Sequence, residues 1–171
     1  MSDLKTLLKK VKGIVLDVDG VLTDGTLYLL PDGDQMRAMN IKDGYAIKYL
    51  TDNKFPITII SAGSVSKGVE QRLKRLGIHD FRLGVSDKME SWNDFMHSYH
   101  LEKEEILYVG DDMPDYECMI KSGVACCPAD AAEEIKRISH YVSTYAGGKG
   151  CVRDIIEKVL IAQNNHWAKN L

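Results

Sequence analysis

Apolar runs of a few residues alternate along the chain with longer stretches of helical periodicity. The apolar runs predict strands at residues 13–18, 56–60, 106–109 and 124–127, and a last short strand at 141–142. The periodicity predicts helices at residues 43–53, 64–76, 88–99, 114–122 and 131–138, a final helix over about 152–163, and a short amphipathic helix within 1–12. Strands that alternate with helices through short connections are typical of an α/β fold. We therefore expect a Rossmann-like parallel sheet with helices on both of its faces.

Residues 25–40 interrupt this alternation. Two strand-like halves flank a Pro-Asp-Gly sequence at 31–33, which predicts a protruding β-hairpin because proline presets φ and glycine accepts positive φ. The segment is too short to form a cap domain. Its apolar side chains include Leu27, Leu29, Met36 and Met39. We expect them to be exposed on the hairpin, where they would favour contact with a partner subunit.

The composition narrows the range of functions. A chain of 171 residues with 44% hydrophobic content predicts one domain over 1–171, which ends in a helix and tail over about 152–171. The 22 basic and 25 acidic residues give no basic excess for nucleic-acid binding, and no apolar run predicts a membrane span or a signal peptide. The cysteines are Cys118, Cys126, Cys127 and Cys151. Their spacing fits buried reduced thiols better than disulfides or a zinc site, which predicts a cytoplasmic protein.

Carboxylates follow the first predicted strand. Asp17 and Asp19 are separated by one residue in the sequence DVDGVLTD. Two such carboxylates at the end of a buried strand repel each other unless a cation lies between them, and Mg²⁺ prefers oxygen ligands. An Asp-x-Asp pair is just as common in an acidic loop at a strand end, so this motif alone does not decide between the two interpretations.

A second acidic cluster follows another apolar strand. Asp111, Asp112 and Asp115 come directly after residues 106–109, about ninety residues beyond the first pair. The carboxyl ends of parallel strands meet at one edge of a sheet, where ligands of this fold class bind. The two clusters can therefore contribute to a single metal site.

Two further strand ends carry polar residues. Ser61 follows residues 56–60 and has glycine and serine neighbours that can present N–H groups to an anion. Lys88 opens a helix and could neutralise phosphate charge. Taken singly, each signal is weak, because a serine after a strand or a lysine on a helix is usually a helix cap or a solvated side chain.

Together, these elements resemble the four motifs of haloacid-dehalogenase superfamily phosphatases in order and spacing. The resemblance extends over about residues 11–160. It implies a Mg²⁺-dependent phosphomonoesterase in which Asp17 is the nucleophile of an aspartyl-phosphate and Asp19 is the general acid and base. It also implies that Mg²⁺ is held by Asp17, the Asp19 main-chain carbonyl and Asp111. The remaining roles it implies are phosphoryl binding by Ser61 and Lys88, and orientation of the site by Asp112 and Asp115.

Within the superfamily, the chain is similar to the small capless subgroup that acts on phosphorylated keto-deoxy sugar acids. The similar stretches are residues 17–25, 40–48, 76–78, 110–115 and 147–153. The resemblance implies 3-deoxy-D-manno-octulosonate 8-phosphate as substrate and a homotetramer whose hairpins meet centrally and whose neighbouring subunits help to cover the active sites. It further implies these substrate contacts: Asn40, Ile41, Lys42, Asp43, Gly44, Lys48 and Arg72.

One stretch departs from the subgroup. Relatives carry an arginine shortly after the second motif, whereas residues 61–67 read SAGSVSK. Lys67 could take its place, but an ammonium group cannot reproduce the bidentate fork of arginine. This departure leaves open a phosphatase for a nine-carbon keto-deoxy sugar acid or for a broad range of sugar phosphates.

Two other classes of function remain open. A receiver-like phosphoacceptor domain also combines clustered aspartates, Mg²⁺, Ser/Thr and Lys in a parallel α/β fold. Asp19 discriminates against it, because a receiver has no need of an acid–base residue at that position. The complete set of four motifs argues against the other class, a catalytically silent interaction module.

Overall fold

The computed structural model describes residues 3–165 of the chain. The strands are β1 (Gly13–Leu16), β2 (Tyr28–Leu29), β3 (Gln35–Met36), β4 (Ile57–Ser61), β5 (Phe81–Leu83), β6 (Ile106–Val109), β7 (Val124–Cys127) and β8 (Tyr141–Val142). The helices are α1 (Leu4–Lys10), α2 (Ile41–Asp52), α3 (Lys67–Arg75), α4 (Lys88–Ser98), α5 (Tyr116–Lys121), α6 (Glu133–Ile138) and α7 (Cys151–Ala162). The last six residues of the predicted C-terminal tail lie outside the described part of the chain.

Six strands form one parallel sheet in the order β5-β4-β1-β6-β7-β8. This confirms the predicted α/β fold, with β1 in the middle between β4 and β6. Strand β5 was missed at the sequence level because it has only three residues, is only partly buried and has Arg82 at its centre. It pairs with β4 at the edge of the sheet.

The strands are buried on both faces, as their continuous apolar sequences predict. Ile14 and Leu16 of β1 pack with α1, α2, α3 and α7 on one side of the sheet. Val15 packs on the other side with residues of α4, α5 and α6. The alternation follows from the two-residue period of a strand. All four cysteines are free and buried, as expected.

Residues between β1 and α2 form the predicted hairpin. Strands β2 and β3 pair antiparallel, with Tyr28 opposite Met36. Leu27, Leu29 and Met36 are exposed, whereas Met39 is partly buried and packs against the core, so the expectation for Met39 was wrong. Met39 lies just before α2, where the chain has already returned to the body of the protein. Within residues 3–165, nothing larger than this hairpin covers the carboxyl edge of the sheet.

Four helix starts differ from the predicted ones by two or three residues. Helix α2 begins at Ile41 instead of residue 43. Helix α3 begins at Lys67 instead of residue 64, and α6 begins at Glu133 instead of 131. The helix predicted to start at Pro114 opens as a 3₁₀ turn over Met113–Asp115 before α5. Proline is tolerated in such a first turn because its missing N–H would have no intrahelical partner there. Among the described helices, none has the length and apolarity that a bilayer crossing requires.

Candidate active site

The site begins at the end of β1, in the centre of the sheet. The Asp17 N–H donates to the Val109 carbonyl at 3.1 Å, which joins the ends of β1 and β6. Beyond Asp17 the chain makes an irregular turn over Val18–Leu22 that contains Gly20 at φ 85°. A Cβ on Gly20 would lie 2.0 Å from an Asp111 carboxylate oxygen. Glycine is therefore required there, because the two acidic strand ends approach each other so closely.

Lys88 links the carboxylates at the base of the site. Its Nζ lies 3.1 Å from Asp17 Oδ2 and 2.7 Å from Asp115 Oδ1. All three side chains are almost fully buried. The Asp115 carboxylate also accepts hydrogen bonds from the Tyr108 hydroxyl at 2.8 Å and from the Asp111 N–H at 3.1 Å. Since both of its oxygens are engaged by protein donors, Asp115 fixes Lys88 and the start of the 110–115 loop.

The carboxylates at this edge carry more negative charge than Lys88 balances. Oxygen atoms of Asp17, Asp111 and Asp115 lie within 4.8 Å of one another. Burial, followed by the charge of Asp115, raises the pKa of Asp17 to about 7. Burial and the charge of Asp17 raise the pKa of Asp111 to about 7 as well. A hard divalent cation between Asp17 and Asp111 would relieve this repulsion, so the donor set fits Mg²⁺.

Ser61 and the loop after it form a second wall. Ser61 is the last residue of β4, and its hydroxyl accepts the Gly63 N–H at 3.2 Å. Together with Lys88, the serine side chain borders a cavity of about 290 Å³ that also contacts Asp17, Asp19 and Asp111. Carboxylates, a hydroxyl and an ammonium group thus converge on one cavity at the carboxyl edge of the sheet. This is the arrangement that the sequence predicted.

Asp19 lies at the mouth of this cavity and is paired with an arginine of the hairpin segment. Arg37 Nε donates to Asp19 Oδ1 at 2.7 Å, and Nη2 donates to Oδ2 at 3.1 Å. The Arg37 side chain is 3% exposed, whereas the Asp19 side chain is 29% exposed. Asp112 is also exposed at the mouth, where its carboxylate accepts the Met113 N–H and caps the 3₁₀ turn.

The residues expected to contact a sugar acid do not gather in this cavity within one chain. Asn40 caps α2 and donates to the Gly148 carbonyl, while Ile41 is 81% exposed at the start of that helix. Lys42 is exposed and borders a separate cavity beside Lys149. Lys48 is exposed and pairs with Asp52.

Asp43, Gly44 and Arg72 also lie outside the lining of the active-site cavity. Asp43 is 1% exposed and accepts the N–H groups of Gly150 and Arg153, so it caps the start of α7 and is inaccessible to a substrate. A Cβ on Gly44 would lie 2.3 Å from Arg72 Nη2, which shows how closely α3 approaches α2. Arg72 borders a neighbouring cavity of about 400 Å³ that it shares with Arg37.

Arg37 and Tyr108 were missed at the sequence level. Tyr108 had a detectable signal, because a tyrosine within an otherwise aliphatic buried strand needs a partner for its hydroxyl. Arg37 had a weaker signal: it directly follows β3, two residues after Gln35, and so is expected on the side of the chain opposite the exposed Met36. Whether that side faces Asp19 depends on the angle at which the hairpin folds back. The periodicity of the sequence does not determine this angle.

Comparisons with known proteins agree with this geometry. A haloacid dehalogenase-like hydrolase profile matches residues 82–155. The 3-deoxy-D-manno-octulosonate 8-phosphate phosphatase KdsC of Escherichia coli (strain K12) is 35% identical over 162 residues, which cover 95% of this chain and 86% of that relative. The chain belongs to the haloacid-dehalogenase superfamily. It is accordingly an enzyme of the phosphoric monoester hydrolase class.

Solved structures of the superfamily match the whole architecture. The 3-deoxy-D-manno-octulosonate 8-phosphate phosphatase of Yersinia pestis superposes with a TM-score of 0.92 at 31% identity, covering 96% of this chain and 88% of that one. The enzyme of Moraxella catarrhalis, in complex with a magnesium ion, a phosphate ion and a KDO molecule, has a TM-score of 0.92 at 31% identity and covers 98% and 96% of the two chains. Residues 3–165 of this chain contain no cap domain.

Proposed function

We propose that this phosphatase hydrolyses 3-deoxy-D-manno-octulosonate 8-phosphate with Mg²⁺, through an aspartyl-phosphate on Asp17. The observation that carries the proposal is the position of the Asp17 carboxylate, which borders the cavity beside Lys88, Ser61 and Asp111. The choice of the octulosonate 8-phosphate as substrate rests on the relatives, whose names include this ester. It is the substrate of those proteins, and 35% identity across nearly the whole chain favours it here.

In the first step, an Asp17 oxygen forms a bond to phosphorus while the bond from phosphorus to the sugar oxygen breaks. The electron pair of that bond goes to the sugar oxygen, which takes a proton from the Asp19 carboxyl group. Lys88 and Ser61 hold the transferring oxygens by charge and hydrogen bonding. In the second step, Asp19 removes a proton from a water molecule, which attacks phosphorus and releases Asp17 and inorganic phosphate.

The Asp17 and Asp111 carboxylates would hold the Mg²⁺, together with the Asp19 main-chain carbonyl. When bound, the ion supplies charge neutralisation for the phosphate and for the clustered carboxylates. The residues of this chain keep their separate tasks: Asp115 fixes Lys88, and the tight turn at Gly20 brings Asp17 and Asp111 together.

The carboxylate end of the substrate needs its own basic partner. The cavity beside the hairpin is bordered by Arg72, which is partly exposed. We infer that Arg72 of this chain or of a neighbouring subunit serves that end, with Lys48 and Lys67 as further candidates. Exposed Leu29 and Met36 support a homo-oligomer, and a tetramer is the assembly we propose. The four buried thiols support a cytoplasmic location.

Substrate preference tests the proposal. We expect kcat/KM for the octulosonate 8-phosphate to exceed that for glucose 6-phosphate by about a hundredfold, since one charge-assisted contact in the transition state contributes roughly 1.5–3 kcal/mol. Arg72→Ala should shrink this preference and leave p-nitrophenyl phosphate turnover largely intact. Arg75→Ala, on the exposed side of the same helix, is the matched control. Equal turnover of the two sugar phosphates would instead indicate a broad-specificity enzyme.

A further inference from the structure

We propose that Arg37 is a positioning residue that fixes the Asp19 carboxylate at the mouth of the phosphate site, and so connects the hairpin to the acid–base step. This inference rests on the proposed function, in which Asp19 transfers a proton to the leaving oxygen. It goes further by assigning a role to an arginine outside the four motifs. The evidence for this role is the geometry of the Arg37–Asp19 pair and the contacts of the residues around it.

The two side chains meet in a bidentate arrangement. Both oxygens of Asp19 accept hydrogen bonds from Arg37, at 2.7 and 3.1 Å. Two parallel bonds between a planar guanidinium group and a carboxylate fix the rotation of the carboxylate as well as its position. In residues 3–165, Arg37 is the only side chain that forms an ion pair with Asp19. Without the Arg37 pairing, the partly exposed Asp19 side chain would populate several rotamers.

The surroundings keep the guanidinium group in this orientation. Arg37 Nη2 also donates to Gln35 Oε1 at 3.1 Å, and the same oxygen accepts the Ser64 hydroxyl at 3.3 Å. A Cβ on Gly63 would lie 2.4 Å from Asp19 Oδ2 and 3.4 Å from Arg37 Nη2. The glycine thus leaves the space in which the pair forms. Strand β3 and the loop after β4 both contribute to holding Arg37.

The cost of this arrangement argues against a purely structural role. Among the described residues, Arg37 Nη1 is the one buried side-chain nitrogen or oxygen without a hydrogen-bond partner. Leaving such a donor unsatisfied costs free energy, and arginines that serve only packing are usually satisfied or solvated. The buried side chain donates to both oxygens of Asp19, while its own Nη1 has no partner. This asymmetry is what a residue selected for its effect on Asp19 would show.

Leaving-group chemistry distinguishes positioning from other roles. A proton donor accelerates ester cleavage only when it is aimed at the leaving oxygen. p-Nitrophenolate departs without a proton, whereas phenolate is a stronger base and gains from one. The two esters are similar in size and have no carboxylate that Arg37 could bind. Since kcat/KM reports the steps up to cleavage of the ester, its ratio for the two substrates measures the contribution of the acid.

The experiment measures kcat/KM for phenyl phosphate and p-nitrophenyl phosphate with Mg²⁺ in the wild type and in Asp19→Asn, Arg37→Met, Arg37→Lys and Arg82→Met. Asp19→Asn should lower the phenyl value relative to the p-nitrophenyl value by about a hundredfold. Arg37→Met should change the same ratio in the same direction by about tenfold, because a displaced group loses part of its effect. Arg37→Lys should recover part of the loss. Arg82→Met removes an exposed surface ion pair and should behave as the wild type.

Each outcome of this experiment supports or contradicts one of the two proposed roles. If Asp19→Asn lowers both substrates equally, the proposed acid–base role of Asp19 is wrong, and the role of Arg37 falls with it. If Asp19→Asn changes the ratio but Arg37→Met lowers both substrates by one factor, or neither, the proposed function survives and positioning by Arg37 is refuted. Thermal unfolding of each variant shows whether a uniform loss of activity comes from a loss of folded protein.

Discussion

The base of the active-site cavity and the hairpin beside it differ in how they are built. At the base, Asp17, Lys88 and Asp115 are almost fully buried, and each is bonded to at least one of the others. The hairpin has strands of only two residues, and Leu29 of β2 is 75% exposed. One chain therefore contains every group to which the proposed function assigns cleavage of the ester. The surface that would select the rest of the substrate is left open.

This contrast has a physical basis. Buried charges are tolerated only when they are paired, so the base of the cavity has little freedom to rearrange. An exposed two-stranded hairpin is only marginally stable by itself, and its apolar residues gain free energy from a partner. Changes at the base should therefore abolish the reaction, whereas changes on the hairpin should alter selectivity and assembly.

The largest expected effect is that of Asp17→Asn. An amide is not a competent nucleophile, so turnover of every phosphate ester should fall by about four orders of magnitude or more. Asp94→Asn, an exposed position on α4, is the matched control and should retain full activity. Circular dichroism should show that both variants are folded. Activity of Asp17→Asn within tenfold of the wild type would contradict both the mechanism and the essential role of the cavity base.

A smaller effect is expected from Leu29→Lys on the hairpin. A charge at this exposed apolar position should disrupt the contact between subunits, which light scattering would detect as a lower mass. Turnover of p-nitrophenyl phosphate should change little. For the octulosonate 8-phosphate, kcat/KM should fall by about tenfold, the equivalent of about 1.4 kcal/mol of lost contact with a neighbouring subunit.

Ile120→Lys is the matched control for this variant. Ile120 is also an exposed apolar residue, but it lies on α5, away from the hairpin. It should leave both the mass and the substrate preference unchanged. A wild-type protein that is monomeric at micromolar concentration would show that the hairpin has a different partner or none.

The base of the cavity was predictable from the sequence because its residues follow strands. Once Asp17, Ser61 and Asp111 are assigned to the ends of parallel strands, the topology alone brings them to one edge. Lys88 was identified in the same way, as the first residue of a helix that begins at that edge. Local patterns and one rule of fold architecture were enough for this part of the site.

The hairpin side was not predictable to the same degree. The turn at residues 31–33 was found, but the alignment of Arg37 with Asp19 depends on the angle at which the hairpin folds back. Asp43 shows the opposite error: it was assigned to the substrate from resemblance, yet its carboxylate caps the start of α7. A carboxylate in a conspicuous motif can serve the backbone, and only the fold reveals which N–H groups it faces.

The smallest expected effect concerns stability, and it tests the charge excess at the base without any substrate. Burial raises the pKa of both Asp17 and Asp111 to about 7, so between about pH 4 and pH 7 the folded protein binds more protons than the unfolded chain. Stability of the metal-free protein should therefore decrease as the pH rises through this window. Mg²⁺ binds the ionised carboxylates, so it should raise Tm by a few degrees at pH 8 and by much less at pH 5.

Calorimetry in EDTA and in excess Mg²⁺ at the two pH values measures this difference directly. Asp111→Asn removes one of the two carboxylates, so the metal-free variant should lose less stability between pH 5 and pH 8 than the wild type, and Mg²⁺ should hardly change its Tm. Asp94→Asn should reproduce the wild-type behaviour at both pH values, because its carboxylate is exposed. An equal increase in Tm at pH 5 and pH 8 would mean that the ion binds away from Asp17 and Asp111. The charge excess at the base would then be balanced by the protein alone, and the open hairpin would remain as the only incomplete part of the site.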